Sequence, residues 1–301
     1  MTPLYDRYIA VDWSAANTPR VGKDSIWIAE TVLRDGRIRR LPSRNPPTRS
    51  EAMADITNVL LRARDRGERV MAGFDFVFGY PAGAAKAIAG KPNWQALWQK
   101  LAELVEDHDD NTSNRFDVAA CINRAIAPGG PQYYGIPNGR LIEGLTLKRP
   151  EGTHAIVAER RLAESYGRGL QPVWKLIGVG SVGSQTILGI ARLEALRRDP
   201  RLAGEIAVWP FETAFDGDLA RPISLVEIYP SLLPIVRHPK KPLDQVQVET
   251  AALRFAALDR AGDLAGILAA PEHMSVKQTA AVLREEGWIA GIGHQALFRG
   301  D

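Results

Sequence analysis

Four acidic residues stand where the surrounding apolar pattern makes a charge costly: Asp12, Asp75, Glu227 and Asp244. Asp12 and Asp75 each end a short apolar run that is typical of a buried strand. Glu227 interrupts a third apolar run, and Asp244 begins a long helical pattern. A buried carboxylate is unfavourable unless it is paired, protonated or bound to a metal. An aspartate can also serve only as a turn former, but four such acids make a catalytic site the leading hypothesis.

Two carboxylates at neighbouring strand ends predict a metal site. Parallel strands lie about 4.8 Å apart, so Asp12 and Asp75 converge if their strands are adjacent. Such carboxylates repel each other, and either one takes up a proton or both share a cation. Magnesium and manganese ions prefer oxygen ligands and keep positions open for water and phosphate. We therefore expect a bound Mg²⁺ or Mn²⁺.

Asp244 is the best third ligand for this ion. A step of about 100° per residue places Val248, Ala251 and Phe255 on the same helix face as Asp244, which is the face turned towards the sheet. Glu249 points away from that face. Glu227 is a supporting candidate, and the sequence leaves open whether it is paired, protonated, metal-bound or in contact with solvent at the strand end.

The order of elements explains how these acids would meet. Two apolar strands joined at Asp35-Gly36 follow the first strand and predict a hairpin. Thr48 then caps a helix that stops at Gly67, and the apolar stretch 70–74 forms a fourth strand. A right-handed crossover through that helix lays the fourth strand parallel to the first. The segment from about 81 to 221 is less regular, and we interpret it as an insertion into a single domain that spans residues 1–301.

Composition points to an ordinary folded protein. Hydrophobic residues make up 45% of the chain and charged residues 24%, as in average globular proteins. A single cysteine, Cys121, rules out an internal disulfide and favours a reducing, cytoplasmic location. The most apolar long window, 176–196, contains several glycines and an arginine, so we expect no membrane insertion. The formal charge of +3 permits nucleic acid as a partner. The sequence does not indicate an oligomeric state.

These features carry a resemblance to a known fold. Three meandering strands, a helix, a fourth strand, a fifth strand and a final helix with an acid are similar to the ribonuclease H-like superfamily. More closely, the chain resembles an uncharacterised bacterial family described as predicted nucleases of that fold. The stretches that carry this resemblance are AVDWS (10–14), GFDFVFGYP (73–81), GVGSVGSQT (178–186), VEIYPSL (226–232) and EEGWIAGIG (285–293).

The resemblance implies an α/β fold with a mixed five-stranded sheet in the order 3-2-1-4-5, strand 2 antiparallel and helices on both sides. It also implies that Asp12, Asp75 and Asp244 bind divalent metal in a nuclease or phosphodiesterase. The chain departs from well-characterised nucleases of the fold in its large insertion and in lacking a clear acidic partner on its first helix. Two alternatives stay open: a non-catalytic nucleic-acid or nucleotide-binding protein, and an actin-like phosphotransferase.

The stretch IGVGSVGS contains Gly178, Gly180 and Gly183 in a G-x-G-x-x-G order that is also found in dinucleotide-binding proteins. The preceding apolar stretch is short, and the acid expected about twenty residues later is only loosely matched. A tight loop that packs a helix near the active site is the favoured interpretation. Cofactor binding and a phosphate at the helix N-terminus are the other two, and we predict no bound organic cofactor.

Overall fold

A mixed six-stranded sheet forms the centre of the computed structural model, which describes residues 2–126, 132–149, 157–167, 169–215 and 221–300. The strand order is β3-β2-β1-β4-β6-β5. β2 is antiparallel to both of its neighbours, whereas β1, β4, β6 and β5 are mutually parallel. The strands are β1 (Arg7–Asp12), β2 (Trp27–Arg34), β3 (Arg37–Arg40), β4 (Val70–Phe74), β5 (Ile206–Val208) and β6 (Ile223–Glu227).

Helices flank this sheet on both sides, so the fold is α/β. Those of the described residues are α1 (Arg49–Asp65), α2 (Ala84–Ala89), α3 (Trp94–Leu104), α4 (Arg115–Ile126), α5 (Gly183–Arg197), α6 (Leu243–Ala261), α7 (Leu264–Leu268), α8 (Val276–Ala281) and α9 (Gln295–Arg299). A π-helical turn, Val282–Glu286, follows α8 directly. None of these helices has both the length and the apolar character needed to cross a bilayer.

The predicted hairpin and crossover are confirmed. Asp35 and Gly36 both have positive φ, 51° and 69°, as the tightest hairpin turns require. Thr48 caps α1 by accepting a hydrogen bond from the Glu51 backbone N–H at 3.2 Å. β4 then returns beside β1 in parallel register.

The prediction of five strands was wrong, because β5 adds a sixth at the edge of the sheet. β5 is only three residues long, too short to give a periodic pattern. It lies within the segment 81–221, so this segment contributes to the central sheet as well as supplying α2 to α5 in its described parts. That residues 1–301 form one domain stays a prediction.

Side chains alternate between two buried layers along the strands. Ile9, Val11 and Phe74 belong to the core beneath α1, α3 and α5, which we call the α1 side. Tyr8 and Ala10 belong to the core beneath α6 and α7, which we call the α6 side. The strand period of two therefore directs Asp12, which follows Ala10 in this alternation, to the α6 side.

Candidate carboxylate site

Asp12 and Asp75 lie next to each other where β1 and β4 end. Val11 is paired with Phe74 in the parallel register, and the Asp75 backbone N–H donates to the Val11 carbonyl at 3.1 Å. Asp75 continues the alternation of Gly73, whose Cα faces Ile228 of the α6-side core. Both carboxylates thus extend from one edge of the sheet towards its α6 side.

Burial and mutual repulsion disfavour the charged forms of both carboxylates. The pKa of Asp75 is raised to about 7 by burial, partly offset by the hydrogen bond from the Trp13 backbone N–H, and raised further by Asp244. That N–H donates to Asp75 Oδ1 at 2.7 Å. Burial also raises the pKa of Asp12, as do Asp75, Asp244 and Asp24 in turn. The two acids and Asp244 therefore share one electrostatic environment.

Asp244 reaches this edge from the first turn of α6. Its Oδ2 accepts a hydrogen bond from the Asp24 backbone N–H at 2.7 Å, which ties α6 to the loop that follows β1. Val248 and Ala251 on the same face are buried, in agreement with the sheet-facing stripe that the helical spacing predicts. The sheet and α6 together position the three aspartates.

Glu227 is held in an ion pair. Its side chain is 2% exposed, and by strand alternation it lies on the α1 side, opposite to Asp12 and Asp75. Arg161 donates to its two carboxylate oxygens at 2.7 and 2.8 Å, and the Phe78 backbone N–H donates to Oε2 at 2.8 Å. Of the possibilities that the sequence left for Glu227, the structure contains the paired one.

A small cavity of about 20 Å³ lies beyond the ends of β4 and β6. Asp75, Glu227, Tyr229 and Val182 are among the residues that line it. This volume is sufficient for one water molecule with several polar partners. The cavity therefore connects the carboxylate edge to the buried ion pair of Glu227.

Two residues of the site were missed by the sequence reasoning. Tyr229 is partly buried, and its pKa is raised by that burial and by Asp75. It lies in the stretch VEIYPSL, so its position directly after the fifth predicted strand was an available signal. Asp24 acts on Asp12 from a long polar loop, and no local pattern marks such a residue.

The fit of a divalent ion can be tested on this geometry. Within the described ranges, no three side chains of histidine, cysteine, aspartate or glutamate form a group that could hold a metal ion. Asp12 and Asp75 form a pair, and Mg²⁺ is commonly held by only one or two carboxylates, with waters and substrate phosphates as its other ligands. The Asp12 carboxylate also accepts no hydrogen bond from any described residue. The site therefore fits a two-carboxylate Mg²⁺ site, with Asp244 nearby.

The glycine-rich stretch borders the same edge. The Gln185 amide in α5 donates to the Trp13 carbonyl, directly after Asp12 in the chain. A Cβ on Gly183 would lie 2.4 Å from the Val173 carbonyl oxygen, so only glycine permits this approach of α5. The residues before the glycines form no strand of the sheet. These observations favour the tight packing loop among the three interpretations.

Comparisons of the chain with protein-family models, with curated proteins and with solved structures found no match. The ribonuclease H-like assignment of the α/β sheet therefore stays a prediction. What can be said of function depends on the carboxylate edge itself, on the elements that position it, and on the loops around it.

Proposed function

We propose that this protein is a metal-dependent nuclease or phosphodiesterase of ribonuclease H-like fold. The observation that carries the proposal is the placement of Asp12 and Asp75 on adjacent parallel strand ends, on one side of the sheet. Turn-forming aspartates have no reason to share one sheet edge and one face. The causes that raise their pKa values include other aspartates and, among the described residues, no cation.

Asp12 and Asp75 would hold the ion, which when bound supplies a water of lowered pKa and neutralises charge on a phosphoryl group. The Trp13 N–H fixes the orientation of Asp75 through Oδ1. Asp244 adds negative charge close to both ligands, which favours a cation. We assign Glu227 a positioning role, because Arg161 engages both of its oxygens at the end of β6.

Cleavage assays with Mg²⁺ or Mn²⁺ on single- and double-stranded DNA and RNA test the proposal. Asp12→Asn and Asp75→Asn should each lower cleavage by at least about 100-fold, the upper range for losing even an outer-shell partner of a metal. Asp35→Asn is the matched control, because Asp35 is an exposed turn residue at the opposite end of β1 and β2. It should leave cleavage unchanged.

Equal cleavage by the wild type and Asp12→Asn would overturn the proposal. Nucleic-acid binding without metal-dependent cleavage, insensitive to Asp12→Asn, would instead favour the non-catalytic alternative. A cytoplasmic location, expected from the single cysteine, stays a prediction within this proposal.

A further inference from the structure

The segment between β6 and α6 carries a basic loop that the proposed site does not use. We define the basic loop as residues 234–241. Residues 236–240 are exposed, and the Val236 side chain is 84% exposed. Leu232 and Leu233 just before the loop are buried in the α6-side core, so the loop begins from a fixed point.

Both ends of the loop are anchored at the carboxylate edge. Tyr229, five residues before it, lines the cavity that Asp75 also lines. Asp244, three residues after it, is the third aspartate of the site and is bonded to the Asp24 backbone. At about 3.3–3.6 Å per residue, Lys240 can be no more than about 14 Å from Asp244 along the chain. The loop therefore borders the site.

The cations of this loop differ in their partners. Lys241 at its base pairs with Glu249 at 2.6 Å and joins the loop to α6. Arg237 and Lys240 are exposed and form no ion pair with any residue that the structure describes. Other arginines, such as Arg49 and Arg161, are buried and fully engaged. Arg237 and Lys240 are thus available to an external anion.

We propose that the basic loop binds the phosphate backbone of a nucleic-acid strand next to the phosphate at the carboxylate site. The identity of the ligand rests on the proposed function, whereas the location rests on the loop itself. A strand that approaches three aspartates is repelled by them, and cations at the border of the site offset this repulsion. Pro239 and Pro242 restrict the backbone, which lowers the entropy lost on binding.

A second basic surface provides the comparison. A groove of about 380 Å³ under the β2–β3 hairpin is lined by residues that include Arg34, Arg37, Arg39 and Arg66. It lies near Arg7, at the other end of β1 from Asp12 and about 16 Å away at 3.3 Å per residue. Arg37 and Arg39 follow the alternation of Val32 and Arg34 on the α1 side. This surface is therefore remote from the carboxylates.

Fluorescence anisotropy with a labelled single-stranded oligonucleotide tests the loop. Binding is measured in Asp12→Asn, so that no cleavage occurs, with and without the paired changes Arg237→Gln and Lys240→Gln. We expect Kd to rise about 10-fold and the slope of log K against log salt to fall by about 2, since each lost phosphate contact removes about one. The matched variant, Arg37→Gln with Arg39→Gln, should change neither. Unchanged melting temperatures would show that the exposed substitutions leave the fold intact.

The outcomes separate this inference from the proposed function. An unchanged Kd and salt slope in the loop variant would overturn it, as would an equal loss in the hairpin variant or a parent protein that binds no oligonucleotide. If the protein binds through the loop but the wild type never cleaves, the inference stands and the proposed function fails. If the wild type cleaves while the loop variant binds normally, only the inference fails.

Discussion

Arg161 is almost completely buried, and its guanidinium donates to Glu164 as well as to both oxygens of Glu227. It also donates to the Glu286 carbonyl at 2.8 Å, so one side chain joins β6, the π-helical turn and the turn at Ala163–Ser165. Burying this charge is tolerable because every direction of the guanidinium meets an acceptor. The network holds the end of β6, from which Tyr229 reaches the carboxylate edge.

Removing Arg161 should strongly destabilise the protein. Arg161→Met leaves Glu227 and Glu164 buried without their cation, and breaking a buried pair in this way costs about 3–5 kcal/mol. Chemical denaturation gives the free energy of unfolding. Arg160→Met is the matched control, because Arg160 is exposed and donates only to the Leu170 carbonyl. A loss for Arg161→Met no larger than that of the control would show that the network contributes little.

At this scale the sequence identified part of the site. Asp12 and Asp75 could be found because each ends an apolar strand, and the strand order then makes them neighbours. Arg161 and Asp24 could not be found in this way. Arg161 is 66 residues from Glu227, and it lies between stretches with no regular pattern. Such partners are determined by tertiary packing, which local periodicity does not record.

Among the elements, α5 shows how closely a helix must approach the sheet to complete the site. Gly189 lies over the Phe76 ring, and a Cβ there would be 2.4 Å from Phe76 Cζ. Phe76 is itself enclosed by Trp13, Phe74 and Phe78, with ring centroids 5.5 to 5.9 Å apart. This ring cannot move aside, so the glycine sets the distance between α5 and the strand end at Asp75.

Gly189→Ala should therefore destabilise the protein by about 1–3 kcal/mol, the usual cost of overpacking a core. Moving α5 outwards should also weaken the contact from Gln185 to the Trp13 carbonyl and lower any metal-dependent cleavage. The matched control is Gly266→Ala in α7, where a Cβ meets only Leu297 Cδ2 at 3.4 Å. Alanine is favoured over glycine within a helix, so the control should be neutral or stabilising. Thermal and denaturant unfolding of both variants would show whether the signs differ as expected.

The sequence predicted the long elements better than the short ones. The predicted helix at about 181–198 corresponds to α5, and the helix expected near Leu243 is α6. The missed elements include β5, α2, α7 and α9, each three to six residues long. Segments of that length are too short to be stable alone. Their conformation depends on packing against the rest of the chain.

For the whole molecule, the carboxylate edge couples stability to pH. An aspartate in an unfolded chain loses its proton near pH 3.9, whereas folded Asp75 does so at about 7. Between these values the folded state holds more protons than the unfolded state, so the free energy of unfolding falls as the pH rises. The groups that face Asp75 and set this behaviour are the Trp13 N–H, Asp12, Asp244 and Tyr229.

Asp75→Asn removes this titration while keeping an acceptor for the Trp13 N–H. In EDTA, the melting temperature of the variant relative to wild type should increase between pH 5 and pH 8 by a few degrees, on the order expected for about 1 kcal/mol or more. Saturating Mg²⁺ or Mn²⁺ at pH 8 should then stabilise the wild type, by about 2.7 kcal/mol at a hundred times Kd, and leave the variant unchanged. Asp35→Asn should follow the wild type throughout. If the difference between Asp75→Asn and wild type does not vary with pH, Asp75 does not titrate as described. If the metal shifts both proteins equally, the ion binds elsewhere.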